Sequence, residues 1–419
     1  MPFDPGLARD TVSLTSTRRS NNNFTLFVGL ALVAQSGPPI QARSCFPCGI
    51  EISHVADLGE LEGDGVLGTP TGAVVRDQEG RFYVVSGEST SQISVFDAQG
   101  RFLKIIGRLG DGPGEFRSIH AILARGDTLW AFDGRLGRIT LLNERGDILE
   151  MARFTGTIDN VAGLTNGDLA IAGLIGDDSL LLPIHYMTVA GRIKASFGPA
   201  FRRQDYRDFY VSQRLITAAP GGGVWAAPRH RYELHHWDES GHSIGQLHLS
   251  RPWFPEHDRP GALTRSDAPA PELLAIQADS TGVIWTLTMI AEPDWYEGLA
   301  AAPVRSPEGD FYPIVDLDRV FKTRIEVLDA ANGDLIAQDD VDDVLFAFAS
   351  DGLAVSYIQD QQGYPRLRVW RLGTVGLSTS ETTRRLPAWI VLIVLITAAT
   401  LWAVTKAMSP GRLPGSNGL

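Results

Sequence analysis

The chain has 419 residues, 44% of them hydrophobic and 21% charged, with 44 glycines and a net charge of −12. That length can bury a large core, and the composition is that of a globular protein with many tight turns. The acidic balance argues against a nucleic-acid or anionic-membrane binder.

In chain order, the first feature is an export signal over residues 1–36. Arg9, Arg18 and Arg19 precede an apolar run over residues 24–34, and Ala34-Gln35-Ser36 supplies small residues for cleavage. A run of about 11 apolar residues suits a signal peptide and is too short to span a bilayer. Residues 37–50 read as a linker that carries both cysteines, in Cys45-Phe46-Pro47-Cys48. After export a local Cys45–Cys48 disulfide is expected, with a lipidated Cys45 as the alternative. A redox motif would need a βαβ setting, and zinc would need two further ligands where only His54 is near.

Residues 51–375 repeat a short pattern six times: an apolar strand, a polar turn ending in Gly, and another apolar residue. The copies begin at Ile93, Ile139, His185, Leu234, Ile325 and Leu367. Their turns carry Asp97…Gly100, Asn143…Gly146, Gly191, Asp238…Gly241 and Asp329…Gly333, and the sixth copy lacks an acidic turn residue. An Asp or Asn side chain accepts a local backbone bond there while Gly takes positive φ. A strand–turn–strand pair precedes each copy, over residues 72–85, 120–132, 160–172, 214–227, 273–287 and 345–357. Each repeat thus supplies four antiparallel strands, a unit that buries both faces only by stacking in a ring. The expected fold is all-β, a six-bladed β-propeller. Residues 55–65 echo residues 103–112, which end a blade, so they are expected to close the ring as the outer strand of blade 6. Closure removes an exposed sheet edge. Insertions are expected at residues 251–271 and 291–322.

Two segments sharpen this. Ile106-Gly107-Arg108-Leu109-Gly110-Asp111-Gly112-Pro113-Gly114-Glu115-Phe116 resembles the G-x-x-G-x-G-P-G-E-F linking signature of the bacterial six-bladed β-propellers of the NHL-like group. Phe132-Asp133-Gly134-Arg135-Leu136-Gly137-Arg138-Ile139 is similar to that group's D-x-x-x-x-R-I segment. The resemblance covers roughly residues 51–373 and is strongest in the first two blades. It implies a fold and a binding or scaffolding habit, not a reaction.

Propellers place function on loops around the channel. Arg135 and Arg138, and Arg229, His230 and Arg231 between the second and third strands of blade 4, are candidate ligand contacts. Asp294, Trp295 and Tyr296, in an aromatic and acidic insertion, are another. His235 and His236 are adjacent on a strand and so face opposite ways, which excludes one metal shared from that strand. Tyr83, Trp130, Trp225 and Trp285 recur at one strand position, as core residues do. Asp339-Asp340-Val341-Asp342-Asp343 has the carboxylates of a calcium loop without its Gly turn or distal Glu, and reads as a solvated inter-blade turn. No cofactor is expected, and calcium is left unsupported. The chain contains no G-x-S-x-G, H-E-x-x-H or P-loop pattern.

Residues 376–385 form a second linker. Residues 386–405 follow, an uncharged apolar stretch of about 20 residues that spans roughly 30 Å as a helix. Trp389 and Trp402 lie near its ends, as interfacial aromatics do, and residues 406–419 form a short tail. The export signal orients this helix with the propeller outside. The expected protein is an exported, membrane-tethered propeller that binds a protein, peptide or glycan and no nucleic acid. The alternative is a lactonase-like hydrolase or lyase with a divalent ion in the channel.

Overall fold

A computed structural model describes residues 48–375, apart from 69–72, 88–89, 177–179, 203–205, 259–262, 307–308 and 360–363. The export signal, Cys45, the apolar helix at 386–405 and the flanking tails lie outside the described residues. Among the described residues, no helix is long and apolar enough to cross a membrane.

The described chain forms six four-stranded antiparallel sheets. Blade 1 comprises Val74–Arg76, Phe82–Ser86, Gln92–Phe96 and Phe102–Ile106. Blade 2 comprises Ile119–Arg125, Thr128–Asp133, Arg138–Asn143 and Ile148–Arg153. Blade 3 comprises Gly156–Gly163, Leu169–Ile175, Ile184–Met187 and Ile193–Phe197. Blade 4 comprises Arg214–Ala218, Val224–Pro228, Glu233–Trp237 and Ser243–His248. Blade 5 comprises Glu272–Ala278, Val283–Ala291, Phe321–Asp329 and Leu335–Val341. Blade 6 comprises Leu345–Ser350, Leu353–Gln359, Pro365–Val375 and, from the other end of the chain, Gly49–Leu58.

The first strands of successive blades pack against one another in cyclic order, blade 6 returning to blade 1, so they surround the axis. Second strands are sandwiched between neighbouring blades and are apolar on both faces. Phe82–Ser86 and Leu169–Ile175 are buried at every position. Outer strands alternate instead, and Leu103 and Ile105 of Phe102–Ile106 face solvent. The recurring aromatics Tyr83, Trp130, Trp225 and Trp285 are buried in four separate clusters, each spanning two adjacent blades.

The polar turns form as their chemistry dictates. Asp97 Oδ1 accepts from the backbone N–H of Gln99 and of Arg101, both at 2.9 Å. Gly100 there has φ 81°, and a Cβ on it would collide with the Asp57 carbonyl of the closing strand. The sixth copy lacks such a turn for a topological reason. Its third strand has no chain-continuous fourth strand to turn into, because Pro365–Val375 pairs with Gly49–Leu58.

Ring closure is as expected in kind but not in place. The closing strand is Gly49–Leu58, not 55–65, and it begins inside the segment read as a linker. Residues 59–65 instead form the turn beyond it, which is why they echo the linker after blade 1. The register runs from Gly49 opposite Val375 to Leu58 opposite Leu367. Arg368 Nε donates to Asp57 Oδ1 at 3.0 Å, and Arg366 Nε to the Gly59 carbonyl at 2.9 Å. Cys48 is buried and disulfide-bonded, and its N–H donates to the Ile336 carbonyl of blade 5 at 3.0 Å.

Strand direction sorts the loops onto two faces. The short turns between first and second and between third and fourth strands lie on one face. The other face carries the loops between second and third strands and the links between blades. All the large insertions are on this second face: residues 198–213, 249–271 and 292–320. The first contains the helix Tyr206–Ser212, which the sequence did not announce. Because Gly49 pairs with Val375, the described chain begins and ends on the short-turn face.

Candidate functional site at the channel mouth

On the long-loop face, a cavity of about 540 Å³ opens between blades 2 and 3, lined among others by Arg117, His120, Arg135, Thr157, Asp159 and Phe209. The axial channel beneath it encloses about 530 Å³. His120, Ile158 and Asp159 line both spaces, so they stand where the cavity opens into the channel.

Backbone irregularity puts them there. The ladder of blade 2 skips from Ile119 to Ala121, and that of blade 3 from Ile158 to Asn160. His120 and Asp159 are the extra residues of two β-bulges, a device that re-aims a side chain. Blades 5 and 6 bulge at the same register, but there the extra residues are Leu274 and Phe346.

Asp159 has no hydrogen-bond partner among the described residues, and burial pushes its carboxyl up to about 6 against the opposing pull of His120 and Arg229. His120 Nδ1 donates to the Ser118 carbonyl at 3.0 Å, which leaves Nε2 open. Arg117 is occupied by Asp111, its Nε donating at 2.7 Å and its Nη2 at 3.1 Å.

Of the residues singled out from sequence, Arg135 belongs to this site. It sits on a turn organised by Asp133, which is fully buried. Asp133 Oδ1 accepts from the N–H of Arg135 at 3.0 Å and of Leu136 at 2.9 Å, and Oδ2 accepts from the N–H of Arg117 at 2.7 Å. The backbone is thereby fixed while the Arg135 guanidinium makes no hydrogen bond or ion pair among the described residues. Arg138 has a different position. It is buried, its guanidinium donates to the carbonyls of Asp111, Gly112 and Glu115, and it lies 5.9 Å from the Phe116 ring. It pins the linking loop between blades 1 and 2.

Arg229 also lines the channel, with Nη2 3.4 Å from Glu272 Oε2. His230 is buried against Tyr210, and burial followed by the charges of Arg214 and Arg231 lowers its pKa to about 4. Arg231 is exposed and 3.6 Å from Glu256. In the insertion of blade 5, Trp295 is buried with Leu299, Val320 and Phe321 as the anchor of a small satellite core. Asp294 and Tyr296 flank it on the surface, the phenol 3.4 Å from the carboxylate.

His236 stacks on Trp225 at 4.3 Å, while His235 lies 3.3 Å from Glu233. The acidic run proves to be less a solvated turn than a pair of struts. Asp340 holds Arg324 through two bonds of 2.7 Å, and Asp343 accepts from Ser356 and Trp370. No group of three or more His, Cys, Asp or Glu able to hold a metal occurs among the described residues.

Sequence reasoning missed His120 and Asp159. The available signal was a polar residue interrupting an otherwise apolar first strand, in Ser118-Ile119-His120-Ala121-Ile122 and Thr157-Ile158-Asp159-Asn160-Val161.

An unpaired carboxylate in this position costs stability. A carboxyl whose pKa rises on folding holds its proton more tightly when folded. It therefore favours folding at low pH, and that contribution is lost as pH rises through about 4 to 6. The full penalty is about 3 kcal/mol, and partial exposure reduces it to roughly 1–2 kcal/mol. Asp159→Asn is accordingly expected to raise unfolding free energy at pH 8 by that amount and to leave it unchanged near pH 3.5, measured by denaturant titration at the two pH values.

A family model described as a 6-bladed beta-propeller, DUF5128, matches residues 71–127. No curated protein sequence matches the chain. Similar solved structures include a protein of Bacteroides fragilis, with a TM-score of 0.48 at 12% identity, covering 77% of this chain and 95% of that one. A DUF4221 member from Bacteroides vulgatus has a TM-score of 0.49 at 10% identity, covering 78% and 100%. The virginiamycin B lyase of Staphylococcus aureus has a TM-score of 0.42 at 10% identity, covering 77% and 99%. At these TM-scores and identities none of these likenesses carries an argument about the chain. Six four-stranded sheets arranged in a ring, together with the partial match to a family described as a 6-bladed beta-propeller, make this chain a six-bladed β-propeller.

Proposed function

We propose that this protein is an exported, membrane-tethered propeller that captures a protein, peptide or glycan at the mouth of its channel. The observation that carries this reading is the mouth itself. A cavity of about 540 Å³ is within the range of ligand sites, and its wall joins two bulged strands to the turns that carry Arg117 and Arg135. The tether and export rest on the signal at residues 1–36 and the apolar stretch at 386–405. The chain returns to the short-turn face at Val375, so a tether beginning there leaves the mouth directed away from the membrane. The lyase alternative would need a divalent ion in the channel, whose lining carries the carboxylates Asp159 and Asp351; no group of three or more His, Cys, Asp or Glu able to hold a metal occurs among the described residues.

Thr157 is exposed on the cavity wall, so Thr157→Trp fills the space without disturbing the core. Peptide and glycan arrays probed with the wild-type protein are expected to reveal ligands that Thr157→Trp does not retain. Ligands retained equally by both proteins would place binding elsewhere.

A further inference from the structure

The charges around the mouth divide into spent and open. Arg117 is held by Asp111, and Arg229 faces Glu272. Two formal charges there make no hydrogen bond or ion pair among the described residues: the Asp159 carboxylate at the channel end, which Arg229 attracts only at longer range, and the Arg135 guanidinium on its Asp133-locked turn, which Asp111 attracts likewise. His120 adds an open ring nitrogen beside Asp159. Ile158 and Phe209 supply apolar wall between polar groups.

A ligand that is only an anion would satisfy Arg135 and meet Asp159 unfavourably. One that is only a cation would do the reverse. Each mismatch leaves a partly desolvated charge without a partner, which is costly. A ligand with both charges satisfies the two groups together, with charge-assisted hydrogen bonds at each end.

We propose that the mouth cavity takes a small zwitterion, a free amino acid or a short peptide with both ends free, its ammonium on Asp159 and its carboxylate on Arg135. This deepens the mouth-binding reading above and rests on it. The cavity is of small-molecule size, so a protein partner would enter it only by a chain end. The pH dependence follows from the site. His120 and Arg229 face Asp159, and the carboxylate forms as pH rises through about 6, so the ammonium is held more tightly at pH 7.5 than at pH 5.

The test is calorimetric titration of the full-length protein in detergent with five probes. These are phenylalanine, glycyl-phenylalanine, its N-acetyl form, its C-terminal amide, and maltose as a neutral sugar. Binding of phenylalanine or of the free dipeptide is expected, and whichever is tighter identifies the source. Acetylation or amidation is expected to weaken dipeptide binding tenfold or more. If the dipeptide is not the better ligand, N-acetylphenylalanine and phenylalaninamide take those roles. Asp159→Asn should abolish the distinction between free and acetylated forms, and Arg135→Gln that between free and amidated forms. The Asp159→Asn protein should melt at or above the wild-type temperature, which separates lost binding from lost folding.

Equal binding of free and blocked forms overturns the zwitterion assignment, as does the absence of binding by any charged probe. If maltose or an array glycan binds and Thr157→Trp abolishes it, the ligand class falls while the mouth reading stands. If Thr157→Trp alters no binding of any probe or array ligand, both fall.

Discussion

Removing residues 1–58 is expected to leave a chain that does not form a soluble, monomeric propeller. Gly49–Leu58 is the outer strand of blade 6, paired along its whole length with Pro365–Val375. Its loss strips the pairing from that strand and the cover from Leu367 and Val369, both fully buried in one cluster with Ala56 and Leu58. The lost burial and hydrogen bonding amount to on the order of 5–10 kcal/mol, as much as the whole stability of many domains. The exposed edge also invites pairing with another chain. A permuted protein separates this from a simple length effect. Gly49 and Val375 are direct neighbours, so a short linker from 375 to 48 with new ends at the exposed Arg145 turn is expected to fold. Size-exclusion chromatography and circular dichroism decide both outcomes. A soluble, native-like product lacking residues 1–58 would refute the closure.

The second large effect lies between blades 4 and 5. Glu326 has no solvent exposure, and its carboxylate accepts from Tyr232 at 2.6 Å and from Arg251 Nε at 3.1 Å. Burial, then the Glu326 charge, holds the Tyr232 phenol protonated, its pKa raised well above the ordinary range. Tyr232 therefore remains the donor, and Arg251 is the counter-charge. Arg251→Met leaves a buried carboxylate without that partner and is expected to cost roughly 3 kcal/mol. Adding Glu326→Gln removes the stranded charge and should recover most of the loss. Denaturant unfolding of the two single variants and the double variant measures this coupling. A cost under about 0.5 kcal/mol for Arg251→Met would show that the pair contributes nothing.

The fold was legible because its signals are local. An Asp or Asn two to four residues before a positive-φ Gly marks a turn whatever surrounds it, as at Asp97 and Asn143. Apolar strands with Tyr83, Trp130, Trp225 and Trp285 in step mark inter-blade packing. The closing strand was misplaced by several residues because its partner lies more than 300 positions away, and register depends on that partner. The same reason hid the site. A β-bulge is a relation between two strands, so Ile119-His120-Ala121 alone does not show that His120 leaves the ladder. Arg135 and Arg138 show the converse. Three residues apart in one motif, they part at the Asp133 turn, one toward the cavity and the other into the linking loop. Trp295 and Tyr296 divide likewise into a buried anchor and an exposed ring.

Bulges at one register in blades 2 and 3 place His120 and Asp159 together at the channel mouth, while blades 5 and 6 spend the same device on Leu274 and Phe346. An unpaired, desolvated carboxylate is a poor structural choice, and the proposed mouth binding gives Asp159 a ligand to meet.

The central claim, the proposal that this propeller captures a ligand at the long-loop mouth, is tested most directly by site-specific photocross-linking of the full-length protein in cells. Photoreactive residues would replace Pro113, Arg231 or Tyr296 around the mouth, outside the cavity itself, and Gln99, Arg145 or Ser240 on the short-turn face, all exposed. Adducts from the mouth positions, with none from the short-turn positions, are the predicted result. Adducts confined to the short-turn face would contradict it.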